Sequence, residues 1–190
     1  MNSSNELLNE EKMLKETKVS SSNIFDGSLL HVRKDNITLP NGQPATREYI
    51  EHLGAVAIVA IDDENNVIME RQYRYPISSI ISEIPAGKLD YKGEDVLSAA
   101  KRELQEETGV TAEKWTSLGV YVPTPAYSDE VIHLFLAQQL QFGKRHLDED
   151  EFINWKPMPL NEVVKQIENG QIIDGKTQSA ILKAKLFLEK

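Results

Sequence analysis

Gly87-Lys88-Leu89-Asp90-Tyr91-Lys92-Gly93-Glu94-Asp95, followed by Val96-Leu97-Ser98-Ala99-Ala100-Lys101 and Arg102-Glu103-Leu104-Gln105-Glu106-Glu107-Thr108-Gly109-Val110, is the stretch around which the rest of the chain is read. From Val96 to Thr108 there is neither proline nor glycine, so nothing interrupts a helix. Gly109 stands where such a helix would stop, and Gly93-Glu94-Asp95 supplies a turn with acidic side chains at its positive start. At about 100° per residue, Val96, Leu97, Ala100 and Leu104 share one side, and Glu103, Glu106 and Glu107 fill the adjoining arc. Like charges three and four residues apart repel on a bare helix by roughly a few tenths of a kcal/mol, and by more against apolar surface. Something cationic belongs on that edge, either Arg102 and nearby lysines in a solvated ion-pair surface or a bound metal ion.

Working outward toward the N-terminus, Ala55-Val56-Ala57-Ile58-Val59-Ala60-Ile61 is a continuous apolar run that predicts a buried central strand. Residues 62–66 are polar and predict a turn, residues 67–73 a return strand, and residues 77–84 a further strand running into Pro85-Ala86-Gly87. That last turn can aim a backbone carbonyl at a metal. Asn41-Gly42 between extended segments signals a hairpin, with strands predicted at residues 23–27, 29–33, 37–39 and 46–53. They make a small antiparallel sheet that buries little by itself. The chain before it, residues 1–19, reads as a flexible tail or short helix. The domain division expected is therefore tail 1–19, N-terminal β subdomain 20–53 and main domain 54–190.

Toward the C-terminus, strands are expected near residues 116–121 and 131–140, separated by a loop that Pro123 and Pro125 stiffen. Residues 143–151 are a charged loop, a site type that often carries catalysis. A short strand at 152–155 follows it. Two amphipathic helices close the chain. Residues 160–169 present Leu160, Val163, Val164 and Ile167, and residues 176–189 present Ala180, Ile181, Ala184, Leu186 and Phe187. Strands flanked by a few helices make an α+β sandwich.

The 190 residues suit one main domain. No apolar run reaches about 18 residues, and the first residues lack a signal peptide's pattern, so a cytoplasmic location is expected. The absence of cysteine excludes disulfides, thiolate zinc sites and cysteine nucleophiles. His31, His52, His133 and His146 are scattered and read as structural or surface residues. Oxygen-ligand chemistry remains, which favours Mg²⁺ or Mn²⁺. A formal charge of −9 argues against nucleic-acid and anionic-membrane surfaces. It leaves a small diphosphate open, drawn in by divalent cations and a few arginines.

The order Gly87, spacer, Glu94, seven residues, Arg102-Glu103-Leu104, Glu106-Glu107, Gly109-Val110 closely resembles the signature box of the Nudix hydrolases. One departure is that the spacer from Lys88 to Gly93 is six residues, where the family uses five. Residues 83–90 (EIPAGKLD), 71–76 (RQYRYP), the pair Arg47-Glu48 and residues 170–182 (GQIIDGKTQSAIL) are similar to the ADP-ribose pyrophosphatase branch. The resemblance implies an αβα Nudix sandwich with a mixed sheet and Mg²⁺-dependent hydrolysis of ADP-ribose to AMP and ribose 5-phosphate. It implies that Glu103 and Glu107 are the principal metal ligands, Glu106 a further one, and that Ala86 contributes its backbone carbonyl. Gly87, Glu94, Arg102 and Gly109 would be the structural residues of the box, with Arg102 paired to Glu94. The catalytic base would come from the acidic loop, Glu149 first and Glu151 second, with Glu106 next in line. Arg71 and Arg74 are candidates for the diphosphate, and Arg47, Glu48 and Glu83 for the nucleoside or ribose ends. A homodimer exchanging its N-terminal strands is also implied. Two alternatives stand beside this reading: hydrolysis of another nucleoside diphosphate sugar such as GDP-mannose, and a non-catalytic nucleotide-binding module.

Overall fold

The computed structural model describes residues 10–145 and 152–190. The chain divides into two compact units, Met1–His52 with Thr124–Glu130, and Leu53–Pro123 with Val131–Lys190.

In the first unit, β1 (Thr17–Asp26), β2 (His31–Thr38) and β3 (Pro44–Glu51) form an antiparallel sheet in that order. The strands expected at 29–33 and 37–39 are one strand, β2. Lys34-Asp35-Asn36 does not turn because each side chain finds a cross-strand partner: Lys34 Nζ donates to Glu48 at 2.9 Å, Asp35 accepts from Lys18 at 2.8 Å, and Asn36 donates to Ser20 at 2.9 Å. For the same reason β1 starts at Thr17, earlier than position 23. All of β1 is exposed, and the sheet's buried residues are Asp35 and Ile37, so it builds no core of its own. Thr124–Glu130 lies along β3, where the Ile50 N–H donates to the Tyr127 carbonyl at 2.9 Å and the His52 N–H to Asp129 Oδ1 at 2.7 Å.

The second unit runs β4 (Ala55–Ala60), β5 (Asn66–Arg74), β6 (Ser79–Glu83), β7 (Ala86–Lys88), α1 (Val96–Thr108), β8 (Val110–Tyr121), β9 (Ile132–Phe142), β10 (Asn154–Pro159), α2 (Leu160–Glu168) and α3 (Gly175–Leu188). One sheet has the order β7-β4-β9-β8, with β4 and β9 parallel and the other pairs antiparallel. The other is antiparallel, β10-β5-β6. Because successive side chains on a strand alternate faces, β4 serves two cores. Ala55, Ala57 and Val59 pack with Val163, Val164, Ile172, Ala180, Ile181 and Ala184 of the α2–α3 side. Val56, Ile58 and Ala60 pack with Ala99, Ala100 and Leu104 of α1. This is an αβα sandwich, and the apolar run 55–61 is continuous because both its faces are covered. Leu104, with no exposed surface, contributes about 1.5–3 kcal/mol by burial.

Three expectations are corrected. β8 starts at Val110 rather than near 116, because Gly109 reverses the chain directly into it. Ile77 lies in a 3₁₀ turn, Tyr75–Ile77, with Pro76 at its start, and β6 begins only at Ser79. In α3 the buried positions are Thr177, Ala180, Ile181 and Ala184, the i, i+3, i+4, i+7 stripe of a helix, while Leu186 and Phe187 are exposed. No described helix is long and apolar enough to cross a membrane.

Candidate active site

Helix α1 is fastened at both ends. Asp95 caps its start, Oδ1 accepting from the Ser98 N–H at 2.8 Å and from the Ser98 hydroxyl at 2.7 Å, and these bonds hold its carboxyl below the usual range. Gly109 ends it at a φ of 74°, its N–H donating to the Gln105 carbonyl. Between them the acidic arc meets the Pro-Ala-Gly turn. Glu103 and Glu107 are buried, and the Glu106 side chain remains 42% exposed. Glu107 Oε2 accepts the Ala86 N–H at 3.0 Å. Glu103 lies so close over Gly87 that a Cβ there would sit 2.0 Å from its Cδ. A side chain at 87 would therefore force the Glu103 carboxylate to move.

Arg102 gathers the remaining carboxylates. Its Nη1 donates to Glu103 at 2.7 Å and Glu106 at 3.2 Å, and its Nη2 faces Asp90 at 3.4 Å and Glu94 at 3.5 Å. Burial would lower its pKa, but Glu103 and the other carboxylates outweigh that and raise it above the ordinary arginine value. Glu94 also closes the loop before the helix, accepting the Asp90 N–H at 2.8 Å. Gly93, in the same loop, has a φ of 89°.

The donor set suits a hard divalent cation. It is carboxylate oxygen throughout, and one guanidinium serves four carboxylates, so negative charge is in excess. Among the described residues no three acidic or histidine side chains converge on one ion-sized point. Glu103 and Glu107 are turned instead toward Arg102 and the Ala86 N–H.

A second polar cluster lies where β6 meets α3. Glu83 is almost fully buried, and Arg74 forks onto it, Nε to Oε1 and Nη2 to Oε2, both at 2.7 Å. Lys176 Nζ also bonds Glu83 Oε2 and reaches Asp174 at 3.1 Å. Burial pushes the Glu83 carboxyl up; Arg74 and Lys176 outweigh it and leave it below its ordinary value. Glu83 in turn, with Asp174 and Glu107 behind it, raises Arg74. Asp174, Lys176 and Thr177 were not among the sequence candidates, although they fall within the stretch 170–182.

Arg71 is not brought to this group. Strand alternation sends it to the face of β5 opposite Arg74, where it lines a groove of about 470 Å³ with Lys156, Gln166 and Gln171. Arg47 and Glu48 belong to the first unit, Arg47 bonded to Glu16 and to the Thr46 carbonyl, and Glu48 to Lys34. Glu149 and Glu151 lie outside the described residues, as does His146.

An αβα sandwich whose acidic helix edge meets a Pro-Ala-Gly turn is the frame of a metal-assisted hydrolase. The NUDIX domain family matches residues 51–177 and the nucleoside diphosphate sugar hydrolase N-terminal domain family residues 16–50, so the chain belongs to the Nudix family. It is 42% identical to an ADP-ribose pyrophosphatase of Bacillus subtilis, over 90% of this chain and 92% of the relative. A methanol dehydrogenase activator of Bacillus methanolicus is 41% identical over the same shares. The crystal structure of an ADP compounds hydrolase superposes with a TM-score of 0.81 at 26% identity, covering 93% of this chain and 96% of that one.

Proposed function

We propose that the chain hydrolyses the diphosphate of ADP-ribose to AMP and ribose 5-phosphate, with Mg²⁺ as its metal and the cytoplasm as its location. The observation that carries this reading is the joint between α1 and the Ala86-Gly87 turn, where two buried glutamates crowd against backbone at the edge of a surplus of negative charge. The Bacillus subtilis relative named for ADP-ribose favours that substrate over GDP-mannose.

Glu103 and Glu107, with Glu106 and the Ala86 carbonyl, would hold the metal. When bound, Mg²⁺ supplies neutralisation of the diphosphate charge and acidifies a water molecule. Arg102 holds Glu103 and Glu106 in place. Arg74, half open to solvent, takes a diphosphate oxygen by its free edge while Glu83 fixes the other. Glu149, or failing it Glu151, accepts the proton of the attacking water. Arg47 and Glu48 reach the nucleoside end across a homodimer that exchanges its N-terminal strands, an arrangement favoured by a first-unit sheet with scarcely any buried residue.

Incubation with ADP-ribose or GDP-mannose and Mg²⁺, with products identified by mass, tests the reading. AMP and ribose 5-phosphate are expected from ADP-ribose, and a folded protein that releases no AMP refutes it. Light scattering should give about twice the 21.5 kDa chain mass at micromolar concentration, and a monomer's mass refutes the exchanged dimer.

A further inference from the structure

We propose that Lys176 is a positioning residue which, through Glu83, sets the pose of Arg74 toward the substrate's diphosphate; this rests on the function proposed above. Lys176 and Glu83 are 93 positions apart, and their contact joins the first turn of α3 to the end of β6. The Lys176 side chain is only 13% exposed and is already committed to Glu83 and Asp174. Arg74 differs. One edge of its guanidinium is forked onto Glu83, and 42% of the side chain is open.

An arginine fixed along one edge by a buried carboxylate offers its remaining donors in a set direction, which matches a phosphate better than a freely rotating side chain does. That direction is only as firm as Glu83. Three donors converge on the Glu83 carboxylate, two from Arg74 itself and one from Lys176, so Lys176 is the anchor independent of the arginine being positioned. The neighbouring residue is fixed to the same turn: the Ile84 N–H donates to Thr177 Oγ1 at 3.0 Å, and Thr177 Oγ1 donates to Asp174 Oδ2 at 2.6 Å. Ile84 and Pro85 lead directly to Ala86, whose N–H holds Glu107. The first turn of α3 thus anchors both the arginine and the strand end beneath the glutamates.

The test is a double-mutant cycle of Lys176→Met and Arg74→Ala on the full chain, with Lys176→Arg as the conservative variant. Steady-state hydrolysis of ADP-ribose is read together with the Kd of its α,β-methylene analogue, which binds without being cleaved. Lys176→Met is expected to raise both KM and Kd about tenfold or more while kcat stays within about threefold, the pattern of lost binding. Lys176→Arg should recover most of the loss. In the Arg74→Ala background Lys176→Met should add less than about twofold, because the two act as one unit. A full tenfold loss in that background, or a fall in kcat at unchanged KM, overturns the proposal. Should Lys176→Met lose its cooperative melt, Lys176→Gln takes its place in the same cycle. A wild type that binds the analogue and shows the non-additive cycle but releases no AMP refutes the proposed function and leaves the positioning role standing. A wild type that does not bind the analogue refutes both.

Discussion

Gly87→Ala isolates the joint on which the proposed chemistry depends. Gly87 has no left-handed φ, so alanine costs the backbone nothing; the whole effect comes from the methyl group. That methyl would stand 2.0 Å from Glu103 Cδ and 2.1 and 2.3 Å from its two oxygens, where ordinary contact begins at 3.4 Å. The carboxylate must retreat by about 1.4 Å, and a misplacement of about 1 Å in an active site costs about 100-fold in rate. At 1.36 kcal/mol per decade that is about 2.7 kcal/mol of transition-state stabilisation. The fold loses less. The bond at stake is the charge-assisted one from Arg102 Nη1 to Glu103, 2.7 Å long and partly exposed, worth about 1.5 kcal/mol at the low end of its class. For a chain of this size that is a fall in Tm of about 3–6 °C. The assay is kcat for ADP-ribose at saturating Mg²⁺ beside a thermal melt by circular dichroism. A kcat within about threefold of wild type refutes the placing of Glu103 at the reacting centre. A Tm loss above about 10 °C refutes the claim that the disturbance is local.

Glu107→Gln should keep the helix and its bond from the Ala86 N–H while removing a charge; activity is expected to fall by orders of magnitude, and near-normal turnover at saturating Mg²⁺ counts against the metal assignment. Glu149→Gln should lower kcat by about 10²- to 10⁴-fold with KM little changed, and Glu151→Gln by less; if both keep kcat within about threefold, the base is sought at Glu106. Glu83 gives a pH dependence whose sign is fixed. Its folded pKa lies below the ordinary 4.5, so its stabilisation is complete above that value and is lost as pH falls through the folded one. The urea midpoint of the wild type should therefore drop more steeply than that of Glu83→Gln between about pH 5 and pH 3, and parallel curves refute the assignment.

Much of this architecture was readable because the signals were local. The run 55–61 could be continuous only if covered on both faces, and Val96 to Thr108 carried its cap, its stop and its acidic arc within one segment. Where partners are distant the sequence misled. Lys34-Asp35-Asn36 looks like a turn until Lys18, Ser20 and Glu48 arrive from other strands. Leu186 and Phe187 are apolar, and only the i, i+3, i+4, i+7 stripe running from Thr177 shows that they miss the sheet. Arg71 and Arg74 looked equivalent in RQYRYP, and strand alternation parts them. The bond between Lys176 and Glu83 leaves no local trace at all, because neither residue is unusual in its own neighbourhood.

The end of α1 has a bearing on how variants there are interpreted. A side chain at Gly109 would strike backbone, 2.7 Å from the Arg145 N and the Gly143 O, and the Gly143 N–H donates to the Gly109 carbonyl at 2.8 Å. Arg145 Nη1 in turn donates to the Ile153 carbonyl at 3.1 Å, bridging the two flanks of the segment that contains Glu149 and Glu151. Asparagine, which tolerates a left-handed φ, would suit Gly93, where a Cβ meets nothing within 4 Å, but not Gly109. A lesion at 109 would therefore be ambiguous, since it would disturb α1 and the residues flanking the acidic segment in one stroke, and a lost activity there could not be credited to either alone.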